Sequence, residues 1–224
     1  REVPTRVESS LAVAGDSRSA AAMRSRVVDS MAPVGGGVTN PFPQRSGYKK
    51  NLSLWSVGWG MKAIVLAGGY ATRLWPITKH RPKMFLPVGD TTVIDTVFED
   101  LEADDRITEV YVSTNERFAG EFESYLAGRE FEKPTLSVED TTGEDEKFGV
   151  VGALAQLIDR EGVDEDLVVV AGDNLISFDV AEFVDFFEAA DTPAIAAYDV
   201  GSKQRATSYG LVELDGDRVV NFQE

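Results

Sequence analysis

Residues 61–88 constrain the fold more than any other stretch of the chain. The segment opens with an aliphatic run from Ala63 to Ala67, which predicts a strand buried on both faces, as in a parallel sheet. The run ends in Gly68-Gly69, where the absence of a Cβ lets the backbone turn sharply and approach a ligand closely. Residues 68–83, called the basic loop below, then carry Thr72 and four cationic side chains, Arg73, Lys79, Arg81 and Lys83.

This arrangement suits a polyphosphate ligand. Backbone N–H groups at a glycine turn bind phosphate oxygens, and Arg and Lys neutralise their charge. A P-loop is excluded because Gly-x-x-x-x-Gly-Lys-Ser/Thr is absent, and a dinucleotide fingerprint needs a helix that Pro76 and Pro82 would break. The plain alternative is a basic surface loop without a ligand. The spacing of the residues favours nucleotide phosphate.

The same stretch resembles the signature of the sugar-phosphate nucleotidyltransferases, or NDP-sugar pyrophosphorylases. Their pattern is Gly-Gly-x-Gly-Thr-Arg-Leu-x-Pro-x-Thr, followed by Pro-Lys and Leu-Pro. Here it reads Gly68-Gly69-Tyr70-Ala71-Thr72-Arg73-Leu74-Trp75-Pro76-Ile77-Thr78, then Pro82-Lys83 and Leu86-Pro87. The one departure is Ala71, where the family usually has a third glycine, and Ala resists a positive φ.

The resemblance extends over residues 61–224 and implies an enzyme. Such an enzyme couples a nucleoside triphosphate to a sugar 1-phosphate and releases pyrophosphate. Glucose 1-phosphate with dTTP or UTP is the first expectation, and mannose 1-phosphate with GTP is the second. Arg73 and Lys83 are the implied catalytic residues. The implied nucleotide-binding residues are Leu66, Ala67, Gly68, Gly69, Tyr70, Ala71, Thr72 and Gly152.

A second constellation, Gly172-Asp173-Asn174, follows another aliphatic run at Leu167–Ala171. A carboxylate at the carboxyl end of a central parallel strand lies where ligands bind in open α/β sheets. It can hold Mg²⁺ while the substrate phosphates supply further oxygen ligands. The resemblance gives Asp173 this metal-binding role. A Gly-Asp turn without a metal is the alternative.

Weaker matches follow in family order. Gly149–Leu154 resembles Gly-Thr-Ala-Gly-Ala-Leu, which implicates Gly152 near the nucleoside although Val150 replaces the threonine. The segments Tyr209–Glu213 and Asn221–Glu224 resemble sugar-binding segments, and they implicate Gly210 and Glu224. The chain stops before the family's next lysine and second metal-binding aspartate, so a truncated C-terminus is expected. The resemblance places base recognition in the acidic segment Glu139–Lys147.

Composition narrows the class of protein. The chain has 224 residues, 43% hydrophobic content and no cysteine, which excludes disulfides and thiolate metal sites. The net charge of −16 argues against a nucleic-acid partner. No apolar run approaches a membrane span, and a cytoplasmic enzyme, free to form a homo-oligomer, is expected.

The acidic charge is confined to one part of the chain. Residues 1–60 carry 8 Lys+Arg and 4 Asp+Glu, a net of +4, whereas 61–224 carry 14 and 34, a net of −20. The acidic part resembles proteins of salt-loving organisms, and a halophilic archaeon is the expected source. Residues 1–60 lack a sustained period and predict a disordered extension, upstream of a true start at Met61.

From Met61 the pattern alternates strand and helix. Strands are predicted at Glu109–Thr114, near Thr135–Glu139, at Ala194–Val200 and at Leu211–Leu214, with a hairpin turn at 215–217. Apolar stripes predict the helices between them. Their members are Ile94, Val97, Phe98 and Leu101; Phe118, Phe122, Tyr125 and Leu126; Val151, Leu154, Leu157 and Ile158; and Phe183, Val184 and Phe187. This order predicts an α/β, Rossmann-like domain with a mostly parallel sheet and helices on both faces.

Two other classes of protein stay open. A non-catalytic or regulatory binding module would bind nucleotide or sugar phosphate without releasing pyrophosphate. A glycosyltransferase also uses a nucleotide-binding α/β sheet with a metal carboxylate, but it would lack the basic loop and consume an NDP-sugar.

Overall fold

The computed structural model describes residues 5–6, 13–15, 60–139, 149–190, 192–197, 199, 203–206 and 209–223. Residues 140–148, which hold all of the acidic segment Glu139–Lys147 except Glu139, lie outside the described residues, as does Glu224. The strands are β1 Thr5–Arg6, β2 Val13–Gly15, β3 Met61–Leu66, β4 Pro87–Val88, β5 Thr91–Thr92, β6 Ile107–Asn115, β7 Pro134–Glu139, β8 Leu167–Ala171, β9 Ala194–Ile195, β10 Leu211–Asp215 and β11 Arg218–Gln223. The helices are α1 Val93–Ala103, α2 Glu116–Ala127, α3 Gly149–Glu161, α4 Val180–Ala190 and α5 Lys203–Ala206.

The main sheet has the strand order β7-β6-β3-β8-β2-β9. Strands β7, β6, β3 and β8 are parallel, whereas β2 pairs antiparallel with both β8 and β9. The predicted α/β class with a mostly parallel sheet is therefore confirmed. The chain moves outward from β3 through β6 to β7, and then returns to the other side of β3 as β8.

Helices cover both faces of the sheet, as the side-chain alternation requires. Along β3, Ala63 and Val65 join the core under α1, α2 and α4, while Ile64 faces the smaller core under α3. All three side chains are fully buried. The predicted apolar stripes lie on these helices with one exception, because Val151 points outward and is 52% exposed.

The remaining strands lie at the sheet margins. Strand β9 ends at Ile195, so the predicted strand Ala194–Val200 is shorter than expected within the described residues. Strands β10 and β11 form the predicted hairpin, with Gly216 at a φ of 60° in the turn. Strand β1 pairs with β10, and β2 pairs with β8. The division of the chain at Met61 stays a prediction. Across the described ranges, each helix is too short or too polar to traverse a bilayer.

A buried carboxylate joins two of the helices that flank the basic loop. Asp95 in α1 accepts hydrogen bonds from the Thr92 backbone N–H at 2.9 Å and the Thr92 hydroxyl at 2.8 Å. Its second oxygen accepts from the Tyr125 hydroxyl and from Arg129 Nε at 3.1 Å. Burial alone would raise the pKa of Asp95, but the hydrogen bonds from Tyr125 and Thr92 outweigh it and hold that pKa well below its usual range.

Replacing Asp95 by asparagine should lower the free energy of unfolding at neutral pH by about 2–3 kcal/mol, because buried donors lose an ionised acceptor. A depressed folded-state pKa gives stability that is present above the unfolded value of about 3.9 and lost as pH falls below it. The gap between wild type and Asp95→Asn should therefore narrow in urea titrations below about pH 4.

Asp100 supplies a matched control on the same helix. Burial and the neighbouring charges of Asp179 and Glu99 raise the pKa of Asp100. Asp100→Asn should therefore be neutral or slightly stabilising at neutral pH. A pH-independent loss in the Asp95 variant, or an equal loss in both variants, would contradict this account of the Asp95 carboxylate.

Candidate active site

The site forms where the carboxyl ends of β3 and β8 lie side by side. Leu66 and Ala171 are register partners, and the Gly172 N–H donates to the Leu66 carbonyl at 3.0 Å. The glycine turn and Asp173 therefore leave the sheet next to each other. The order in which the chain adds strands to the sheet reverses between β3 and β8. Open α/β sheets bind ligands at such switch points.

The basic loop begins at a backbone position held from α2. The Asn115 side-chain amide donates to the Gly68 carbonyl at 3.0 Å, and its oxygen accepts from the Phe118 N–H at 3.1 Å. Asn115 is thus the N-cap of α2, and it also fixes the start of the loop. Farther along, buried Thr78 donates its hydroxyl proton to the Ala71 carbonyl at 2.8 Å. Between these contacts, backbone hydrogen bonds fold residues 71–79 into consecutive turns.

Ala71 takes the left-handed conformation, with φ 46° and ψ 42°. The loop therefore uses the backbone geometry that favours glycine, although the residue is alanine. A left-handed L-residue costs about 1–2 kcal/mol, because Cβ approaches the following carbonyl oxygen. Alanine in place of the family's glycine therefore adds a conformational free-energy cost to the loop, while residue 71 still has a positive φ.

Replacing Ala71 by glycine should raise the free energy of unfolding by about 0.5–1 kcal/mol, since relief of the left-handed cost exceeds the added backbone entropy of glycine. Thermal unfolding of the full chain measures this difference. The control is Ala71→Val, which should destabilise because a branched Cβ is worse at positive φ. A destabilised glycine variant would show that Ala71 is not strained.

Aromatic packing positions the turn that carries Lys83. Residues Lys83–Phe85 form one 3-10 turn, in which Met84 is buried. The Phe85 ring stacks on Tyr125 with centroids 4.6 Å apart and meets Phe122 edge-on at 4.7 Å. The backbone beneath Lys83 is therefore wedged against α2, while its side chain stays 41% exposed.

Lys83 and Asp173, which are 90 residues apart, meet in the structure. Lys83 Nζ lies 2.8 Å from Asp173 Oδ2, and the Asp173 side chain is 35% exposed. Gly172 lets the end of β8 pack closely against β3, since a Cβ there would lie 3.0 Å from Val65 Cγ1 and 3.3 Å from the Leu66 carbonyl oxygen. The structure thus joins the basic loop to the strand-end carboxylate at the switch point.

Arg73 lies on the 3-10 turn Thr72–Leu74 and is exposed. It makes no side-chain hydrogen bond or ion pair with any residue that the structure describes. Gly69 is also exposed, and a Cβ there would meet nothing within 4 Å. Both residues remain accessible to a ligand. Their predicted roles stay predictions.

Three of the other predicted nucleotide-binding residues are partly committed to the fold. The Leu66 carbonyl accepts from Gly172, and the Ala67 N–H donates to the Ser113 carbonyl at 2.7 Å. The Tyr70 ring is buried in the core 6.1 Å from the Phe118 ring. If Tyr70 touches nucleotide, its backbone must do so.

The remaining predicted site residues lie elsewhere. Gly152 is in the first turns of α3, which starts at the carboxyl edge of the sheet because it follows β7 and precedes β8. Gly210 is exposed just before β10, in the sheet β1-β10-β11. Glu224 lies outside the described residues. No described contact joins Gly152 or Gly210 to Asp173, and all three assignments stay predictions.

Glu139 is a further carboxylate beside the glycine turn. A Cβ on Gly68 would lie 3.0 Å from Glu139 Oε1, which accepts a 2.6 Å hydrogen bond from Ser113. Sequence reasoning placed Glu139 only within a base-reading region. Its position at the end of β7 was the available signal, because β7, β6 and β3 end at one edge.

The donor set at Asp173 bears on a metal. Within the described ranges, no three carboxylate or histidine side chains converge as a metal cluster. Mg²⁺ is commonly held by one or two carboxylates together with substrate phosphates and water. The half-buried Asp173 carboxylate, at the carboxyl edge of the sheet, fits that kind of site.

A glycine turn with cations next to a strand-end carboxylate, at the switch point of a parallel sheet, defines an α/β domain of the nucleotide-phosphate-binding class. The family model described as "Nucleotidyl transferase" matches residues 62–224, and the chain belongs to this family. The match covers β3, the basic loop, β8 and the hairpin.

Individual relatives agree with the family. The chain is 28% identical over 165 residues to a protein of Sulfolobus acidocaldarius provisionally named mannose-1-phosphate guanyltransferase, covering 73% of this chain and 44% of that one. It is 32% identical over 157 residues to the low-salt glycan biosynthesis nucleotidyltransferase Agl11 of Haloferax volcanii, covering 69% and 42%. The chain thus spans less than half the length of these curated relatives.

A solved structure is also similar. It is a protein of Bacillus anthracis provisionally named glucose-1-phosphate thymidylyltransferase, with a TM-score of 0.50 and 36% identity. The similarity covers 58% of this chain and 51% of that one. It agrees with the Rossmann-like fold expected for residues 61–224.

Proposed function

We propose that the protein transfers a nucleoside monophosphate from a nucleoside triphosphate to a sugar 1-phosphate, giving an NDP-sugar and pyrophosphate. The observation that carries the proposal is the 2.8 Å contact between Lys83 and Asp173. It sets a cation of the basic loop beside a carboxylate suited to Mg²⁺, where two phosphate groups can be brought together. Family membership supports the same chemistry.

The proposed reaction is an in-line displacement at the α-phosphorus. An oxygen of the sugar phosphate forms a bond to that phosphorus, and the bond to the bridging oxygen of pyrophosphate breaks. The nucleophile is already an anion, so no general base is required. The protein must align two anions and neutralise their charge.

Each residue has a defined part in this proposal. The N–H groups of the glycine turn bind the triphosphate, Arg73 binds the leaving pyrophosphate and Lys83 binds the reacting phosphates. Asp173 would hold Mg²⁺, which supplies charge neutralisation to the phosphate oxygens when bound. Gly152 is proposed to lie near the nucleoside, and Gly210 and Glu224 near the sugar.

For the substrates, the first candidate is glucose 1-phosphate with dTTP or UTP. The Bacillus anthracis structure, provisionally named glucose-1-phosphate thymidylyltransferase, supports it. The second candidate is mannose 1-phosphate with GTP, and Glu139 beside Gly68 favours it. An ionised carboxylate only accepts hydrogen bonds, and guanine offers two adjacent donors at N1 and N2.

A coupled pyrophosphate-release assay tests the proposal. The full-length protein is incubated with Mg²⁺, each of four nucleoside triphosphates and a small set of sugar 1-phosphates. A potassium chloride series belongs in the assay, because the −20 net charge of residues 61–224 supports activity in concentrated salt. Release that depends on both substrates is expected. Nucleotide binding without release would instead favour a regulatory module, and NDP-sugar consumption a glycosyltransferase.

A further inference from the structure

The middle of the basic loop has few ties to the rest of the protein. Leu74, Trp75 and Ile77 are 39%, 47% and 66% exposed, and Arg73 is exposed beside them. A segment with so few buried contacts would be expected to open easily. A catalytic role for Arg73 requires the opposite, because a misplaced cation stabilises developing charge poorly.

Arg117, on the first turn of α2, contacts the far part of this loop. Its Nη2 donates to the Lys79 carbonyl at 2.5 Å. Asn115, two residues earlier, holds the Gly68 carbonyl at the start of the loop. The N-terminus of α2 therefore binds the loop backbone at two places, at Gly68 through Asn115 and at Lys79 through Arg117.

The Arg117 guanidinium also packs against three aromatic rings. Its Cζ lies 5.7 Å from the centroid of the exposed Trp75 ring in the loop. It lies 5.9 Å from the ring of Tyr70, a loop residue whose ring is buried in the core, and 5.4 Å from the ring of Phe118 in α2. These distances are within the range of cation–π attraction. A planar guanidinium can donate to a carbonyl and face rings at once, which an ammonium does less well.

The support beneath Arg117 is rigid. Helix α2 is capped by Asn115 and packs through Phe118 and Phe122, both fully buried. Arg117 itself is exposed, as is Lys79. Removing the Arg117 side chain should therefore free the loop without unfolding the domain, because exposed pairs add little to global stability.

We propose that Arg117 is a positioning residue that holds the basic loop closed, so that Arg73 faces the triphosphate. The inference rests on the proposed function for the role of Arg73, but the restraint on the loop is independent of it. Loss of one charged hydrogen bond and a cation–π contact should shift the loop toward an open state about tenfold. Because Arg73 acts on the leaving pyrophosphate, kcat should fall about tenfold while the KM for the sugar phosphate stays unchanged.

Trp75 provides a direct measurement of loop closure. Every tryptophan other than Trp75 is replaced by phenylalanine in the full-length protein. Within these 224 residues they are Trp55 and Trp59, which lie outside the described residues. Acrylamide quenching then reports on Trp75 alone. Since Trp75 is 47% exposed, full opening should raise the quenching constant about twofold in Arg117→Ala.

Arg129→Ala is the matched control. Arg129 follows the C-terminal end of α2, and its guanidinium lies 4.6 Å from the Tyr125 ring. It makes no described contact with the basic loop. Quenching and kcat should be unchanged in this variant, and Arg117→Lys should fall between wild type and Arg117→Ala. Equal quenching in wild type and Arg117→Ala, or equal changes in both alanine variants, would overturn the inference. If no triphosphate supports pyrophosphate release, the proposed function fails, yet the quenching comparison still decides whether Arg117 restrains the loop.

Discussion

Replacing Lys83 by alanine should lower turnover about 10²–10³-fold, which is the usual effect of removing a preorganised donor from a developing negative charge. The wedge of Phe85 between Tyr125 and Phe122 keeps the underlying turn in place, so the variant should fold normally. Arg73→Ala should have an effect of similar size. The measurement is steady-state pyrophosphate release by the full-length protein, with circular dichroism to check the fold.

Lys62→Ala is the appropriate control for Lys83→Ala. Lys62 lies at the opposite end of the sheet, where it pairs with Glu109 at 3.1 Å. The control therefore removes a comparable lysine–carboxylate pair far from the switch point and should retain near-normal turnover. Near-normal turnover in Lys83→Ala would remove that residue from the proposed mechanism.

The contact with Asp173 offers a second explanation for a loss of turnover in Lys83→Ala, namely that Lys83 only neutralises the Asp173 carboxylate. The double variant Lys83→Ala/Asp173→Asn separates the two explanations. If Lys83 acted only by neutralising Asp173, the double variant would recover the activity lost in Lys83→Ala. We expect no recovery, because the substrate phosphates also lose a cation.

Asp173→Asn should weaken the response to Mg²⁺ at least about tenfold, because an amide oxygen is a poorer ligand than a carboxylate for a hard dication. The concentration of Mg²⁺ that gives half-maximal pyrophosphate release should rise accordingly. Binding of Mn²⁺ in the presence of triphosphate, followed by electron paramagnetic resonance, gives a readout that does not depend on turnover.

Asp185→Asn serves as the control for Asp173→Asn. Asp185 is an exposed carboxylate on α4, away from the basic loop, and it pairs with Arg106 at 2.6 Å. The Asp185→Asn variant removes the same charge as Asp173→Asn, so it tests for a general electrostatic effect on cation uptake. An unchanged Mg²⁺ requirement in Asp173→Asn, or an equal change in Asp185→Asn, would count against the metal assignment.

The sequence was sufficient for the local structure of the domain. Period-2 and period-3.6 patterns predict β3, β6, β8 and helices α1 to α4, because burial on one or both faces fixes which positions must be apolar. The same reasoning was wrong for Val151, which is exposed. A single apolar residue at a helix start has no periodic context to show which way it points.

The sequence also predicts the chemistry of the site. The glycine turn, its cations and a carboxylate after an aliphatic strand indicate phosphate binding through the kinds of groups present and their spacing. The positive φ of 46° at Ala71 did not follow from the residue itself, because alanine resists that conformation.

Only the tertiary structure decided which distant residues meet. The contacts of Lys83 with Asp173, Gly68 with Glu139 and Arg117 with Lys79 join residues 90, 71 and 38 positions apart. They depend on the order of strands in the sheet and on the way α2 packs against the loop. Local patterns carry no information about either, since strand order is set by long-range burial of whole faces.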